Sequence, residues 1–237
     1  MRTAWAVFTR AARPGEVKTR LAAVHGPHAA LLVHRWLLRR TLAAVEQAPG
    51  ERSLWIVPEA DPWTQRLARG RGWPIRLQEG ADLGARMAHA ARSLLATHEA
   101  VVLVGGDLPR LGTETLRHLA DALVAGHRVV FVPAFDGGYG AVGLSAPPPG
   151  ILDALFAAHA WGSSDVLRAS RLALRARGCD PYLLPPTPDW DRPEDLAGFA
   201  PFLPPPLLRR LAKEIPGGRA LASSSRMEGS ATVEEEA

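Results

Sequence analysis

The 237-residue chain is almost without lysine: of its 28 basic residues only Lys18 and Lys213 are lysines, and the rest are arginines. It has a single cysteine, Cys179, which excludes an internal disulfide and any multi-cysteine metal site. No apolar run approaches the ~20 residues that span a bilayer. The first such run, Ala4–Phe8, is also too brief for the core of a secretory signal. These absences read as a cytoplasmic protein with no membrane partner. No arginine cluster is interleaved with aromatics, which argues against nucleic acid as a ligand. No G-x-S-x-G motif occurs, so a serine nucleophile elbow is absent. Hydrophobic content of 47% with 22% charged residues is that of a globular chain with a sizeable core. A net charge of +4 fits anionic small-molecule ligands, and equally follows from the arginine-rich composition.

What is present alternates between strand and helix patterns. Apolar runs predict strands at Ala4–Phe8, Ser53–Val57, Ile75–Leu77, Ala100–Val104, Val129–Val132, Tyr139–Leu144 and Tyr182–Leu184. Helices are predicted from Pro27 to about Gln47, after Asp61-Pro62, from Asp82 to about Thr97 and over Thr113–Val124. Further helices are predicted near Ile151–Ala157, Ser163–Ala176, Pro193–Phe202 and Pro206–Glu214. The uninterrupted run AVVLV suits a strand buried on both faces. The expected fold is therefore one α/β/α domain over residues 1–216, built on a mainly parallel twisted sheet. Residues 217–237, small and polar with an acidic end, read as a disordered tail.

Parallel sheets bind ligands at the carboxyl ends of their strands, so the loops there carry the functional argument. The first, Arg13-Pro14-Gly15-Glu16-Val17-Lys18-Thr19-Arg20-Leu21, resembles a P-loop but has Val17 where the second glycine is required. A β-branched residue resists the positive φ of that nest. What remains is Arg10, Arg13, Lys18 and Arg20 within eleven residues, beside Gly15. The loop is either a di- or triphosphate site or a solvated basic turn; the scarcity of lysine elsewhere favours the site. Gly105-Gly106-Asp107 follows AVVLV. Gly106 would let a ligand approach the backbone, and Asp107 reads as a Mg²⁺ (or Mn²⁺) ligand, against the alternative of a turn aspartate. Asp136-Gly137-Gly138 is either a hairpin turn or a substrate-contacting loop. Asp82 is most simply an N-cap, with Arg86 one turn later facing a ligand. Asp191, three residues before Glu194, reads as a cap that leaves one carboxylate oxygen for a metal. Ser163-Ser164 reads as a helix cap; Trp36, Trp55, Trp63 and Trp73 read as packing residues, and His25, His28 and His34 lack metal-ligand spacing.

In order, ARPGEVKTRLA, QEGADLGARM, VVLVGGDLPRL, VPAFDGGYGAVGL, AWGSSDVL and DWDRPEDL resemble the GT-A-type nucleotide-diphospho-sugar transferase superfamily. They are most similar to a bacterial glycosyltransferase-like family related to 2-phospholactate guanylyltransferase. The segments span roughly residues 4 to 199. The resemblance implies a nucleotide held over the first half of the sheet, with Lys18 and the neighbouring arginines near its phosphates. It also implies the divalent metal on Asp107, with Asp191 as second acidic ligand. The chain departs from that family at Arg10-Ala11-Ala12 (usually Lys-Ala-Pro), Ala81 (glycine), Leu108 (a small polar residue) and Gly140 (a large aromatic). The expected activity is metal-dependent transfer from a nucleotide donor to a small-molecule acceptor, nucleotidyl transfer being favoured by the dense basic loop. Glycosyl transfer from an NDP-sugar and a silent nucleotide-binding protein are the alternatives.

Overall fold

The computed structural model describes residues 1–157, 161–188, 190, 195, 199 and 203–214. Seven strands form one sheet: β1 (Thr3–Arg10), β2 (Glu51–Val57), β3 (Ile75–Leu77), β4 (Ala100–Gly105), β5 (Val129–Pro133), β6 (Tyr139–Ser145) and β7 (Tyr182–Leu183). Their order is β3-β2-β1-β4-β6-β5-β7. All neighbouring pairs are parallel except those of β6, which runs antiparallel to both β4 and β5. The helices are α1 (Thr19–His25), α2 (Pro27–Glu46), α3 (Pro62–Arg69), α4 (Leu83–Leu95), α5 (Thr113–Val124), α6 (Ile151–Leu155), α7 (Val166–Arg175) and α8 (Pro205–Glu214). The predicted helix over 193–202 falls outside the described residues apart from Asp195 and Phe199, as does the predicted tail.

The chain divides into two compact units: residues 1–11 with 37–189, and residues 12–36 with 190–237. The larger unit holds the whole sheet. Along β1, Trp5 and Val7 face one helical layer while Ala4, Ala6 and Phe8 face the other, the period-2 alternation of a strand. The first layer is made by the second half of α2 (Leu38, Leu42, Val45), α3 (Ala68) and α5 (Leu116, Leu119, Leu123). The second is made by α4 (Met87, Ala88, Leu94), α6 (Ile151, Leu155) and α7 (Leu174). Both sides of β1 and β4 are thus covered, which is why their sequences are apolar without alternation.

The helix starts obey local chemistry. Asp61 accepts hydrogen bonds from the amides of Trp63 (3.0 Å) and Thr64 (3.2 Å), ahead of Pro62 in the first turn of α3. α1 is an element the sequence pattern did not announce: seven residues are too few to show a helical period. It begins immediately after Lys18, which holds a left-handed backbone (φ 49°). The positive φ therefore falls one residue later than the P-loop comparison placed it, and Val17 is a buried core residue.

Gly143 of β6 shows how closely α5 lies on the sheet. A Cβ there would come within 2.6 Å of Leu119 Cδ2 and 2.9 Å of Leu123 Cδ1. Gly143→Val should therefore lower stability by roughly 1–3 kcal/mol through overpacking, read as a lower midpoint at unchanged slope in urea unfolding.

Candidate active site

From β1 the chain runs outward to β2 and β3, then returns to the other side of β1 as β4. This reversal of strand order opens a crevice at the carboxyl ends of β1 and β4. Phe8 pairs with Gly105 in the parallel register, so Arg10 and Asp107 each stand two residues beyond that pair. Both are exposed.

Hydrogen bonds hold the loop carrying Asp107 on both sides of the aspartate. The Gly106 amide donates to the Phe8 carbonyl (3.1 Å), and Arg40 Nε donates to the Pro109 carbonyl (3.1 Å). Gly106 itself is buried, and a Cβ on it would sit 3.3 Å from both Leu38 Cδ1 and the Phe8 carbonyl oxygen. A side chain at this position would press on the packing of the β1 end against Leu38 of α2. Asp107 is an exposed carboxylate on this turn.

Leu108 and Gly140, the two departures beside Asp107, are one feature. Leu108 is buried, and its Cδ1 lies 2.1 Å from where a Cβ on Gly140 would be. The leucine fills the space that a side chain at position 140 would occupy.

The Asp136 loop is also a packing device. Asp136 Oδ1 accepts from the Gly138 amide (2.8 Å), closing a turn on itself. Gly137 has φ +90°, and a Cβ there would lie 2.0 Å from the Ser164 carbonyl oxygen; its own carbonyl accepts from the Leu167 amide (3.0 Å). The Cβ side of Gly137 is thus packed against the 163–167 segment, and Gly138 closes the turn. Ser163 and Ser164 do not cap α7 through a side chain: the helix starts at Val166, and Ser163 Oγ accepts only from the Asp165 amide (3.4 Å). Tyr139 follows, with its hydroxyl buried beside Ser170 Oγ but short of hydrogen-bond geometry. Burial holds the phenol well above its ordinary pKa of 10.0.

At the end of β3, Asp82 is the N-cap the sequence indicated, its Oδ1 accepting from the Ala85 amide (2.8 Å). Arg86 Nε donates to the Gly80 carbonyl (3.1 Å), so this arginine braces its own loop. Gln78, which motif reasoning passed over, donates through Nε2 to the carbonyls of Thr9 and Trp55, both at 2.9 Å. Only the topology could reveal it, because β3 reaches β1 across β2.

In the smaller unit, Arg13 pairs with Glu16 (3.8 Å) and Gly15 has φ +81°. Arg20 is exposed, whereas Lys18 is buried and donates through Nζ to the Trp190 carbonyl. The Trp190 ring is fully buried, edge-on to Trp36 (5.9 Å between centroids) and stacked on Phe199 (5.2 Å). The scarce lysine is thereby tied to the residue preceding Asp191, a link no sequence pattern contains. Asp191 itself lies outside the described residues. Among the described residues, no three His, Cys, Asp or Glu side chains form a metal cluster, and no helix is long and apolar enough to cross a membrane.

A central parallel sheet with its order reversed between β1 and β4 and an acidic loop at that point is the architecture of the nucleotide-diphospho-sugar transferases. A Desulfovibrio desulfuricans G20 protein solved as a member of that class superposes with a TM-score of 0.78 at 24% identity, over 95% of this chain and 99% of that one. CMP:2-keto-3-deoxy-manno-octonic acid synthetase, solved with CTP, gives a TM-score of 0.51 at 12% identity, covering 84% and 96%. The chain belongs to the family described as uncharacterised proteins conserved in bacteria (DUF2064), whose profile matches residues 41–163. It is 32% identical over 168 residues to phosphoenolpyruvate guanylyltransferase of Chloroflexus aggregans (strain MD-66 / DSM 9485), spanning 68% of this chain and 80% of that protein. Family, relative and fold together put the chain among the transferases.

Two outcomes follow from this geometry. Gly140→Phe alone should destabilise the protein, while the Leu108→Ala/Gly140→Phe pair should recover about 1–3 kcal/mol relative to the sum of the single changes, measured as a double-mutant cycle in urea. Tyr139 is protonated when folded at a pH where an unfolded tyrosine ionises. Its contribution is present below pH 10 and lost as pH rises toward the folded value, at up to about 1.4 kcal/mol per pH unit. Stability above pH 10 should therefore fall more steeply in the wild type than in Tyr139→Phe.

Proposed function

We propose that the protein is a metal-dependent nucleotidyltransferase, moving a nucleoside monophosphate from a nucleoside triphosphate to a small anionic acceptor. The observation that carries this reading is the exposed Asp107 carboxylate, held on a turn where the strand order reverses between β1 and β4. The relative's guanylyltransferase activity supports nucleotidyl over glycosyl transfer, and the CTP complex supports a nucleoside triphosphate as ligand of this fold.

In such a transfer an acceptor oxygen attacks the α-phosphorus. A new P–O bond forms, the bond from that phosphorus to the bridging oxygen breaks, and its electron pair leaves with pyrophosphate. The chemistry asks for positioning and charge neutralisation rather than a protein nucleophile. A hard divalent cation takes one or two carboxylates and completes its shell with phosphate oxygens and water, which suits the donor set of Asp107 with Asp191. Bound Mg²⁺ or Mn²⁺ would supply charge neutralisation at the donor phosphates. We assign neutralisation of the departing pyrophosphate to Arg10, Arg13, Lys18 and Arg20 of the basic loop, with Gly15 shaping its turn. Arg110, Glu114 and His118 line a cavity of about 500 Å³ near the end of β5, where the Arg110 guanidinium suits an anionic acceptor such as phosphoenolpyruvate.

The test is incubation of the purified protein with Mg²⁺, each nucleoside triphosphate and candidate acceptors, phosphoenolpyruvate first. Pyrophosphate release is expected, and Asp107→Asn should lower kcat by about 100-fold or more. Release of a nucleoside diphosphate from an NDP-sugar would establish glycosyl transfer in its place. Nucleotide binding that is indifferent to Asp107→Asn, without turnover, would establish a silent binding protein.

A further inference from the structure

The cavity near the end of β5 is larger than a small anion needs. Its volume of about 500 Å³ lies within the roughly 300–1,000 Å³ that hold a drug-sized molecule. Part of its lining is the segment 184–188, which is fastened to β5 through the main chain. The Leu184 amide donates to the Phe131 carbonyl (2.9 Å) and the Thr187 amide to the Pro133 carbonyl (2.8 Å). The Phe135 amide in turn donates to the Thr187 carbonyl (3.3 Å). Pro185, Pro186 and Pro188 make up much of that wall, and proline brings ring carbon with no N–H to satisfy. Phe135 lines the cavity as well, a large apolar ring left 68% exposed. The rest of the lining comes from Arg110, three residues beyond Asp107, and from the start of α5. The guanidinium offers a fork of N–H donors suited to a carboxylate or phosphate. His118 Nε2 lies 3.1 Å from Arg117 Nη2; a guanidinium only donates, so the imidazole accepts there and carries its proton on Nδ1. Among the described residues that line the cavity, Arg110 and Glu114 hold the only formal charges, of opposite sign. Such a lining suits one anionic group on an apolar body rather than a highly charged ligand. Thr187 adds an observation of a different kind. It is 6% exposed, and its Oγ1 is buried with no hydrogen-bond partner, although its main-chain amide and carbonyl are both bonded. An unpaired buried hydroxyl is a standing cost to the fold. No hydrogen bond holds its χ1, so rotation can turn the hydroxyl toward a ligand in the cavity that Thr187 lines.

We infer that the acceptor bound here is an amphiphilic acid. Its carboxylate or phosphate monoester lies at Arg110, its aromatic or aliphatic body lies against Phe135 and the proline wall, and Thr187 helps to select it. The inference rests on the nucleotidyltransferase reading and names the acceptor class for the same reaction. Phosphoenolpyruvate carries its charge on every side of a short carbon frame, so it would leave the proline wall without an apolar partner. Covering that wall and the Phe135 ring removes apolar surface from water, which only a ligand with a body can do. Because Arg110 follows Asp107 so closely in the chain, the anionic head is the end that meets the donor. An oxygen of that head attacks the α-phosphorus, and pyrophosphate leaves with the electron pair of the broken P–O bond.

The test measures binding calorimetrically on the full-length protein with Mg²⁺, for two pairs that share a head: phenyl phosphate with methyl phosphate, and phenylacetate with acetate. In at least one pair the aryl member should bind the wild type about 10-fold tighter or more, and that pair identifies the head. Equal affinities within both pairs overturn the inference. Phe135→Ser, at an exposed position whose main-chain bond is kept, should cut the aryl preference by about 3-fold or more. An unchanged preference there shows the body bound elsewhere and also overturns it. Thr187→Val keeps the shape of the side chain and removes only the unpaired hydroxyl. The free protein should then unfold at an equal or higher urea midpoint, while the aryl acid binds about 5-fold more weakly. A lower midpoint, or unaltered binding, removes Thr187 from the proposal. With a nucleoside triphosphate present, the preferred aryl acid should release pyrophosphate faster than phosphoenolpyruvate does. Turnover with phosphoenolpyruvate and none with either aryl acid overturns the inference and leaves the transferase reading standing. No pyrophosphate from any acceptor, with the aryl preference intact, overturns the proposed function and leaves the ligand class of the cavity standing.

Discussion

The pairing of β1 with β4 is the contact on which the remaining geometry depends. It joins two strands covered on both faces, extends from Thr3–Ala100 to Phe8–Gly105, and is continued one step by the hydrogen bond from the Gly106 amide to the Phe8 carbonyl. Because strands pair rigidly and core side chains interdigitate, fixing this register fixes where Arg10 and Asp107 emerge. A carboxylate carried at the end of that ladder has its position set by the register of the sheet.

The glycines around this end of the sheet illustrate how one sequence signal admits two physical explanations. Glycine permits close approach, but the approaching group can be another part of the same chain. At Gly106 it is Leu38 and the Phe8 carbonyl, at Gly137 the Ser164 main chain, and at Gly140 the Leu108 side chain. All three are packed against their own chain. Leu108 and Gly140 are matched in the same way, the buried leucine of the Asp107 loop taking the space a side chain on β6 would need.

Much of the fold was legible because its signals are local. β3 and α5 begin and end where periodicity put them, and the N-caps at Asp61 and Asp82 bond as their side-chain chemistry dictates. The β5–β6 reversal follows from Asp136-Gly137, a turn that closes on its own carboxylate. α1 was illegible because seven residues do not complete two helical turns, and because its N-cap is a left-handed lysine where a serine or aspartate would be the signal. Asp107, Arg10 and the basic loop stood out as charged residues at strand ends. Gln78 did not, because a glutamine carries no signal until the strands it bridges are known.

By itself the sequence determined the alternation of strands and helices, the double burial of the central strands, and the set of polar loops at the carboxyl edge of the sheet. Those properties follow from period, apolar run length and turn chemistry, all of which act over a few residues. Tertiary structure alone decided that Lys18 reaches the Trp190 carbonyl across 172 positions, that Leu108 fills the space over Gly140, and that Gln78 spans from β3 to β1. Each of these is a contact between groups distant in the chain. Their distance is set by strand order and register, which no short stretch of residues encodes.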